Sequence, residues 1–357
     1  MSYQDQILVK IDGKVHEFWT DATIARSIER GAHSFDLTLS DSSDENALST
    51  PRVIQVGMSV QIYINNEQIV SGYIDNVKTS YDATNHTLNI SGRSKIGDLI
   101  DCSTEGKQFP IGQSLVQISK ALCEPFGINV LVGDNVADVA AETFTSDHNL
   151  DIGQPIWEFL EELARLKAIL LISDADGNLV MTRAGSTVSA TSLVLGKNVK
   201  SASGSFSQQQ LFSDYIVCGQ VANNPATKQT SKDNTQPKAS ISSTQTMRYR
   251  PLTISSDNQA DQFTCETRAR WQRNVNESRS QNLNYTVQGW RQKQDGPLWQ
   301  ANELVHVNDP WMGVDKQFLI VETRMKFGSS GSTTELHLMP KNAFSVRPDS
   351  TDVKGLR

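Results

Sequence analysis

Apolar and polar positions alternate along the first hundred residues. Phe35, Leu37 and Leu39 alternate with Asp36, Thr38 and Ser40. Met58, Val60, Ile62 and Ile64 alternate with Ser59, Gln61, Tyr63 and Asn65, and Leu88 and Ile90 with Asn89 and Ser91. A period of two sends successive side chains to opposite faces, so each run predicts a strand with one buried face. Asp12-Gly13, Asn65-Asn66 and the stretch Asp82 to Asn85 supply turn chemistry between the runs. Many short strands with polar turns and no long helix predict an antiparallel sheet that closes or packs on itself. Ser40 to Pro51 is polar and reads as a long loop.

The period changes near Gly112. Leu115, Ile118 and Leu122 recur at helical spacing, and Pro125 and Gly127 end that helix. Ile128 to Val132 reads as a short strand. Pro155 suits the first turn of a second helix, with Ile156, Phe159, Leu160, Leu163 and Leu166 as its apolar stripe and Glu161 and Arg165 paired on the wet face. Ala168 to Ile172, the turn Asp174 to Asn178 and Leu179 to Thr182 complete a small α/β unit at roughly 105–195. Strands return from about residue 200, at Tyr215 to Cys218, Leu283 to Val287, Leu304 to Val307, Phe318 to Val321 and Leu336 to Met339. A polar excursion at 223–246 and an arginine-bearing helix at 258–280 interrupt them, and a polar tail follows from Ser345. The predicted fold is α+β and mainly β, with two strand-rich halves flanking an α/β insert. That arrangement suggests a duplicated barrel, although no residue-level repeat accompanies it.

Composition narrows the function. A length of 357 residues predicts two or three domains. The 33 Lys and Arg against 40 Asp and Glu leave a net charge of −7, which disfavours a general nucleic-acid binder. Hydrophobic residues at 38% and charged residues at 20% predict a real core and argue against wholesale disorder. The longest aliphatic run, Ala168 to Ile172, is too short to span a bilayer, and the N-terminus lacks the basic flank and apolar stretch of a signal peptide. Cys102, Cys123, Cys218 and Cys265 form no CxxC pair and read as reduced, mostly buried thiols of a protein made in a cytoplasm.

Candidate chemistry is sparse. Asp174, Asp176 and Asn178 resemble the start of a calcium loop, but Gly177 is fourth and Gly185 stands where the twelfth-position Glu belongs, so a hairpin turn is expected. His16, His33, His86, His148, His306 and His337 form neither HExxH nor a Cys/His cluster. Gly328 to Ser332 ends in Ser and lies between two strands, unlike a nucleophile elbow. Glu158, Glu161 and Glu162 sit on the polar side of a helix, where a glycosidase would need two carboxyls facing one cleft. Arg268, Arg270, Arg273 and Arg279 spread around their helix, which favours an ion-paired or inter-subunit surface over DNA binding. Trp271, Trp290, Trp299 and Trp311 read as core or interface anchors. No catalytic, cofactor-binding or metal-ligating residue is expected, and no cofactor.

Longer phrases carry a resemblance. PRVIQVGMSVQIYINNEQIVSGYIDNVKTSYDATNHTLNISGRSKIGDLIDCS from Pro51, ALCEPFGINV at Ala121–Val130, DGNLVMTRAG at Asp176–Gly185 and the run Tyr285–Phe344 together span nearly the whole chain. In order and spacing they resemble the baseplate hub proteins of contractile-tailed phages of the phage Mu type, in the late-control D tail protein family. The resemblance implies a homotrimer whose subunits each contribute two tube-like antiparallel β-barrels, making a pseudo-six-fold ring. It implies domains at 1–104 (first barrel), 105–198 (α/β insert) and 199–345 (second barrel, interrupted at about 223–282), then a tail at 346–357. The α/β parts are expected to cradle a separate trimeric tail spike, with the tail tube or other baseplate components on the other side. DNA would pass through the channel without specific binding, and a ring of charge −21, three times −7, would repel it. The expected location is the virion tail baseplate, after synthesis in the bacterial host cytoplasm. The alternatives are a tail-associated peptidoglycan hydrolase, which needs converging acids in a cleft, and a receptor- or carbohydrate-binding tail module, which needs exposed aromatic clusters.

Overall fold

The computed structural model describes residues 5–16, 19–41, 54–82, 86–185, 187–219, 236–246, 248–255, 262–329 and 331–344. Most of the expected loop at 40–51, residues 223–235 of the expected excursion and the tail from 345 lie outside the described residues. The chain divides into two compact units. One comprises Met1–Ala164, Ile169–Ala202 and Asn284–Leu338, and the other Arg165–Ala168, Ser203–Leu283 and Met339–Arg357.

In the first unit, β1 (Ile7–Ile11), β2 (Lys14–His16), β3 (Asp21–Ser27), β4 (Ser34–Asp41), β5 (Ser59–Ile64), β6 (Glu67–Tyr81) and β7 (His86–Ser94) lie in the spatial order β3-β4-β7-β6-β5-β1-β2. Every neighbouring pair is antiparallel. The alternation in the sequence is the cause. Phe35, Leu37, Val60, Ile62, Ile64, Leu88 and Ile90 are all buried, while their polar neighbours face away. Around the Tyr73–Arg93 pair, β6 and β7 approach so closely that glycine is required on both. A Cβ on Gly72 would lie 1.9 Å from the Arg93 carbonyl oxygen, and one on Gly92 would lie 2.0 Å from that of Tyr73.

The α/β part follows: α1 (Ile96–Asp101), β8 (Lys107–Phe109), α2 (Leu115–Cys123), β9 (Val130–Val132), α3 (Ala137–Ala141), β10 (His148–Leu150), α4 (Ile156–Leu166), β11 (Leu170–Ser173) and β12 (Leu179–Thr182). Ser114 starts α2 with a reciprocal cap. Its hydroxyl accepts from the Gln117 backbone N–H, and the Gln117 side chain accepts from the Ser114 backbone N–H. The predicted stripes bury Leu115, Ile118 and Leu122 from α2 and Ile156, Phe159, Leu160 and Leu163 from α4, in one core with Leu171, Leu179 and Met181. Leu166, also placed on the α4 stripe, is exposed at the helix end. Each fully buried aliphatic side chain contributes roughly 1.5–3 kcal/mol. This part is seated on the β3–β4 turn, where a Cβ on Gly31 would fall 2.4 Å from the Trp157 ring.

Later strands rejoin the first sheet. These are β13 (Thr187–Val188), β14 (Leu193–Val194), β15 (Val199–Phe206), β19 (Gln281–Gln288), β20 (Glu303–Asp309), β21 (Val314–Phe327) and β22 (Thr333–Met339). The long β21 pairs with β20 through Val314–Leu319 and with β3 through Glu322–Phe327. Strands from the two ends of the chain therefore share one hydrogen-bonded sheet, continuing β21-β22-β19-β15. Trp290, Leu298 and Met325 pack into the same core as Val9, Ile24 and Phe35.

The second unit holds β16 (Asp214–Cys218), β17 (Lys238–Ser242), β18 (Pro251–Ser255) and α5 (Gln262–Arg279). The sheet order is β17-β16-β18, with β18 parallel to β16. Its apolar cluster is small: Val217, Ala239, Cys265 and Ala269, with Ile241 and Ile254 against it. Part of the expected polar excursion is thus a strand. Ala239 and Ile241 alternate with Lys238, Ser240 and Ser242, which is enough to turn one face inward.

Candidate assembly surfaces

Several of the residues that could suggest chemistry have local structural roles. Asp174 closes the β11–β12 turn: one carboxylate oxygen accepts from the backbone N–H groups of Asp176 (2.9 Å) and Asn178 (2.7 Å), and the other from the Asn178 amide (2.9 Å). His86 stacks on Tyr81, His148 meets Phe144 edge-on, and His306 lies 3.4 Å from Asp315. Gly328 to Ser332 connects β21 to β22, with Ser330 outside the described residues. Glu158, Glu161 and Glu162 are exposed on α4. Among the described residues, no group of three or more His, Cys, Asp or Glu could hold a metal ion, and no helix is long and apolar enough to cross a membrane. Cys123 and Cys265 are buried thiols and Cys102 and Cys218 half-buried ones; burial pushes Cys123 up to about 12.

One buried polar junction was not visible in the sequence. Arg26 on β3 has its guanidinium Nε out of contact with solvent, and burial pulls its pKa down against the opposing pull of Glu67, Asp174 and Glu303. These carboxylates come from β6, the β11–β12 turn and β20, so the charge sits where three parts of the first unit meet. His33 lies beside it. Burial first, and then the Arg26 charge, lowers its pKa to about 3, so the imidazole is neutral in the folded chain. Its backbone exchanges two hydrogen bonds with Ser94, whose hydroxyl meets that of Ser173 at 3.2 Å. Glu303 accepts from the Gln292 amide at 2.6 Å, and burial raises its pKa. A lone Arg in a strand and a lone His in a turn carry no spacing signal that would have linked them.

Trp311 and Tyr249 are the two most exposed large hydrophobic side chains among the described residues. The β20–β21 turn presents Trp311, 88% exposed. It is held rigid from within, because buried Asp309 accepts from the Tyr285 hydroxyl (2.9 Å) and from the Met312 backbone N–H (3.1 Å). Of the other tryptophans, Trp290 and Trp299 are buried and Trp271 lies half-buried under Arg268. In the second unit, Arg248 and Tyr249 are exposed beside the loop 207–213, and Tyr249 is 85% exposed. The arginines of α5 do spread around the helix, Arg270 and Arg279 exposed and Arg268 and Arg273 half-buried.

What the chain is similar to gives this arrangement its class, the structural proteins of the phage tail baseplate. Residues 6–94 match the N-terminal domain of the Mu phage baseplate assembly protein GpP-like family, residues 96–183 the second domain of the baseplate hub protein gp44-like family, and residues 262–347 the fourth domain of Mu phage baseplate assembly protein GpP. The chain belongs to this family of Mu-type baseplate hub proteins. It is 28% identical over 354 residues to the baseplate hub protein gp44 of Escherichia phage Mu, covering 96% of this chain and 90% of that one. The 43 kDa tail protein of prophage MuSo2 from Shewanella oneidensis is 33% identical, with a TM-score of 0.82 over 96% of this chain and all of that chain. A tail protein from Neisseria meningitidis MC58, 21% identical, shares the fold with a TM-score of 0.75 over 96% of this chain and 99% of its own.

Proposed function

We propose that this baseplate hub protein works as a homotrimeric ring that joins the tail tube to a separate membrane-piercing spike and encloses the channel through which DNA passes. The carrying observation is β21, which continues one sheet between strands from both ends of the chain. Each subunit then offers two strand sets side by side, and three subunits offer six, the number a six-fold tube requires. The proposed division is a first barrel at 1–104, an α/β insert at 105–198, a second barrel at 199–345 and a tail at 346–357. The reading is non-enzymatic: function comes from fit and symmetry, a reading supported by the chain's similarity to baseplate hub proteins. The place of action is the tail baseplate, after synthesis in the host cytoplasm.

The test is a mass measurement on the purified full chain across a concentration series. A subunit of 39.5 kDa should give a particle of about 118 kDa, three times that mass. A monomer at every concentration would remove the ring.

A further inference from the structure

Charge is divided unequally between the two compact units. The second unit carries fifteen Lys and Arg against eight Asp and Glu, a balance of +7. The first carries eighteen against thirty-two, a balance of −14. Within the first unit the imbalance concentrates in the α/β stretch. Residues 96–183 hold fourteen acids and five basic residues, of which Arg165 and Lys167 fall in the second unit. An acidic chain therefore contains a basic module and an acidic module of opposite sign.

The basic module also displays aromatic side chains. Phe206 is 55% exposed, and Tyr249, 85% exposed, is flanked by Arg248 and Arg250. The backbone places them near exposed Arg279 at the end of α5: the Ser207 N–H, next to Phe206, donates to the Ser280 carbonyl, next to Arg279 (2.9 Å), and the Arg248 guanidinium reaches the Gln208 side chain (3.5 Å). The support beneath is rigid. Arg250 donates to the carbonyls of Gln209 (3.0 Å) and Leu211 (3.1 Å) and lies over the Phe212 ring, which packs edge-on against buried Tyr215. Arg250 is occupied in holding the loop, which leaves Tyr249 projecting from a fixed base. Exposed Tyr, Phe and Arg are the composition of an interface centre, because the aromatic rings bury much area with few rotatable bonds and Arg adds charge and hydrogen bonds.

We infer that the Phe206–Arg248–Tyr249–Arg279 patch is a docking surface for a second copy of this chain, and that it engages the acidic α/β part, residues 96–183, of that neighbour. This rests on the trimeric reading above and deepens it. Charge complementarity chooses the occupant, since the surface of opposite sign is supplied by the same polypeptide. Contacts of this head-to-tail kind close into a ring when the rotation permits.

The full-length chain with Arg248→Glu, Tyr249→Ala and Arg279→Glu tests the surface, with Arg248→Gln and Arg279→Gln as a milder pair. All three side chains are exposed, so the melting temperature should stay within a few degrees of wild type. The concentration for half-assembly should rise at least tenfold in the triple variant, and wild-type assembly should weaken as salt is raised from 0.05 to 0.5 M. A photo-crosslinking phenylalanine analogue at position 249, in a mixture of isotopically light and heavy copies, should join light to heavy chains within residues 96–183. A triple variant that assembles like wild type, or crosslinks that fall within one copy, elsewhere in the neighbour or on added DNA, would overturn the surface and leave the trimer standing. A wild-type chain that never assembles overturns the trimer and this surface with it.

Discussion

Gly92→Ala is expected to leave the chain largely insoluble, or destabilised by more than ~3 kcal/mol where soluble protein is recovered. The added methyl would stand 2.0 Å from the Tyr73 carbonyl oxygen and 2.5 Å from the Phe35 ring. Neither can retreat. The carbonyl is backbone of β6, and Phe35 is a buried member of β4 on the other flank of β7. A large fraction of the whole stability of a domain is at stake, since that is only about 5–15 kcal/mol. Gly97→Ala is the control. There the nearest atoms to the Cβ all belong to the Arg93 side chain, at 3.3 Å or more, so a small shift of that side chain accommodates the methyl and the loss should stay below about 1 kcal/mol. Urea denaturation of both variants checks the pair. Equal midpoints would show that β6 and β7 are not so tightly apposed.

The second large effect is a pH dependence that belongs to His33. Its folded pKa is about 3, against roughly 6.5 in an unfolded chain. Between those values the unfolded state binds the proton and the folded state refuses it. The contribution of His33 is therefore fully present above pH 6.5 and is lost as pH falls, by about 1.4 kcal/mol per unit, until pH approaches 3. Burial lowers His16, His148 and His337 in the same direction, so the wild-type slope contains more than one group. The difference between wild type and His33→Leu isolates this one. Between pH 7.5 and 4.5 the denaturation midpoint should fall more steeply for wild type than for the variant. Parallel profiles would contradict a neutral, enclosed imidazole beside Arg26.

How far the sequence could be read depends on how each element is stabilised. Where one face is apolar, period decides, and β4, β5, β7, α2 and α4 follow directly from Phe35 to Leu39, Val60 to Ile64, Leu88 to Ile90, Leu115 to Leu122 and Ile156 to Leu163. β15 escaped because Lys200 to Phe206 are all exposed and mostly small, so its pairing to β19 is made by backbone with no hydrophobic signature. The short helix α3 buries only Ala140 and leaves no stripe to read. The surfaces divide in the same way. The stretch around Tyr249 is a short polar run in sequence, and its meaning comes from Gln208, Gln209 and Ser280, which the fold brings beside it. The electrostatic surroundings of Arg26 likewise depend on Glu67, Asp174 and Glu303, up to 277 positions from Arg26 along the chain. Long-range electrostatics has no period.

The ring itself is tested most directly by electron microscopy of the purified full-length chain at assembling concentration. The account predicts particles with a threefold axis around an open centre, each subunit contributing both of its strand sets to the wall. Particles lacking threefold symmetry, or closed at the middle, would contradict it.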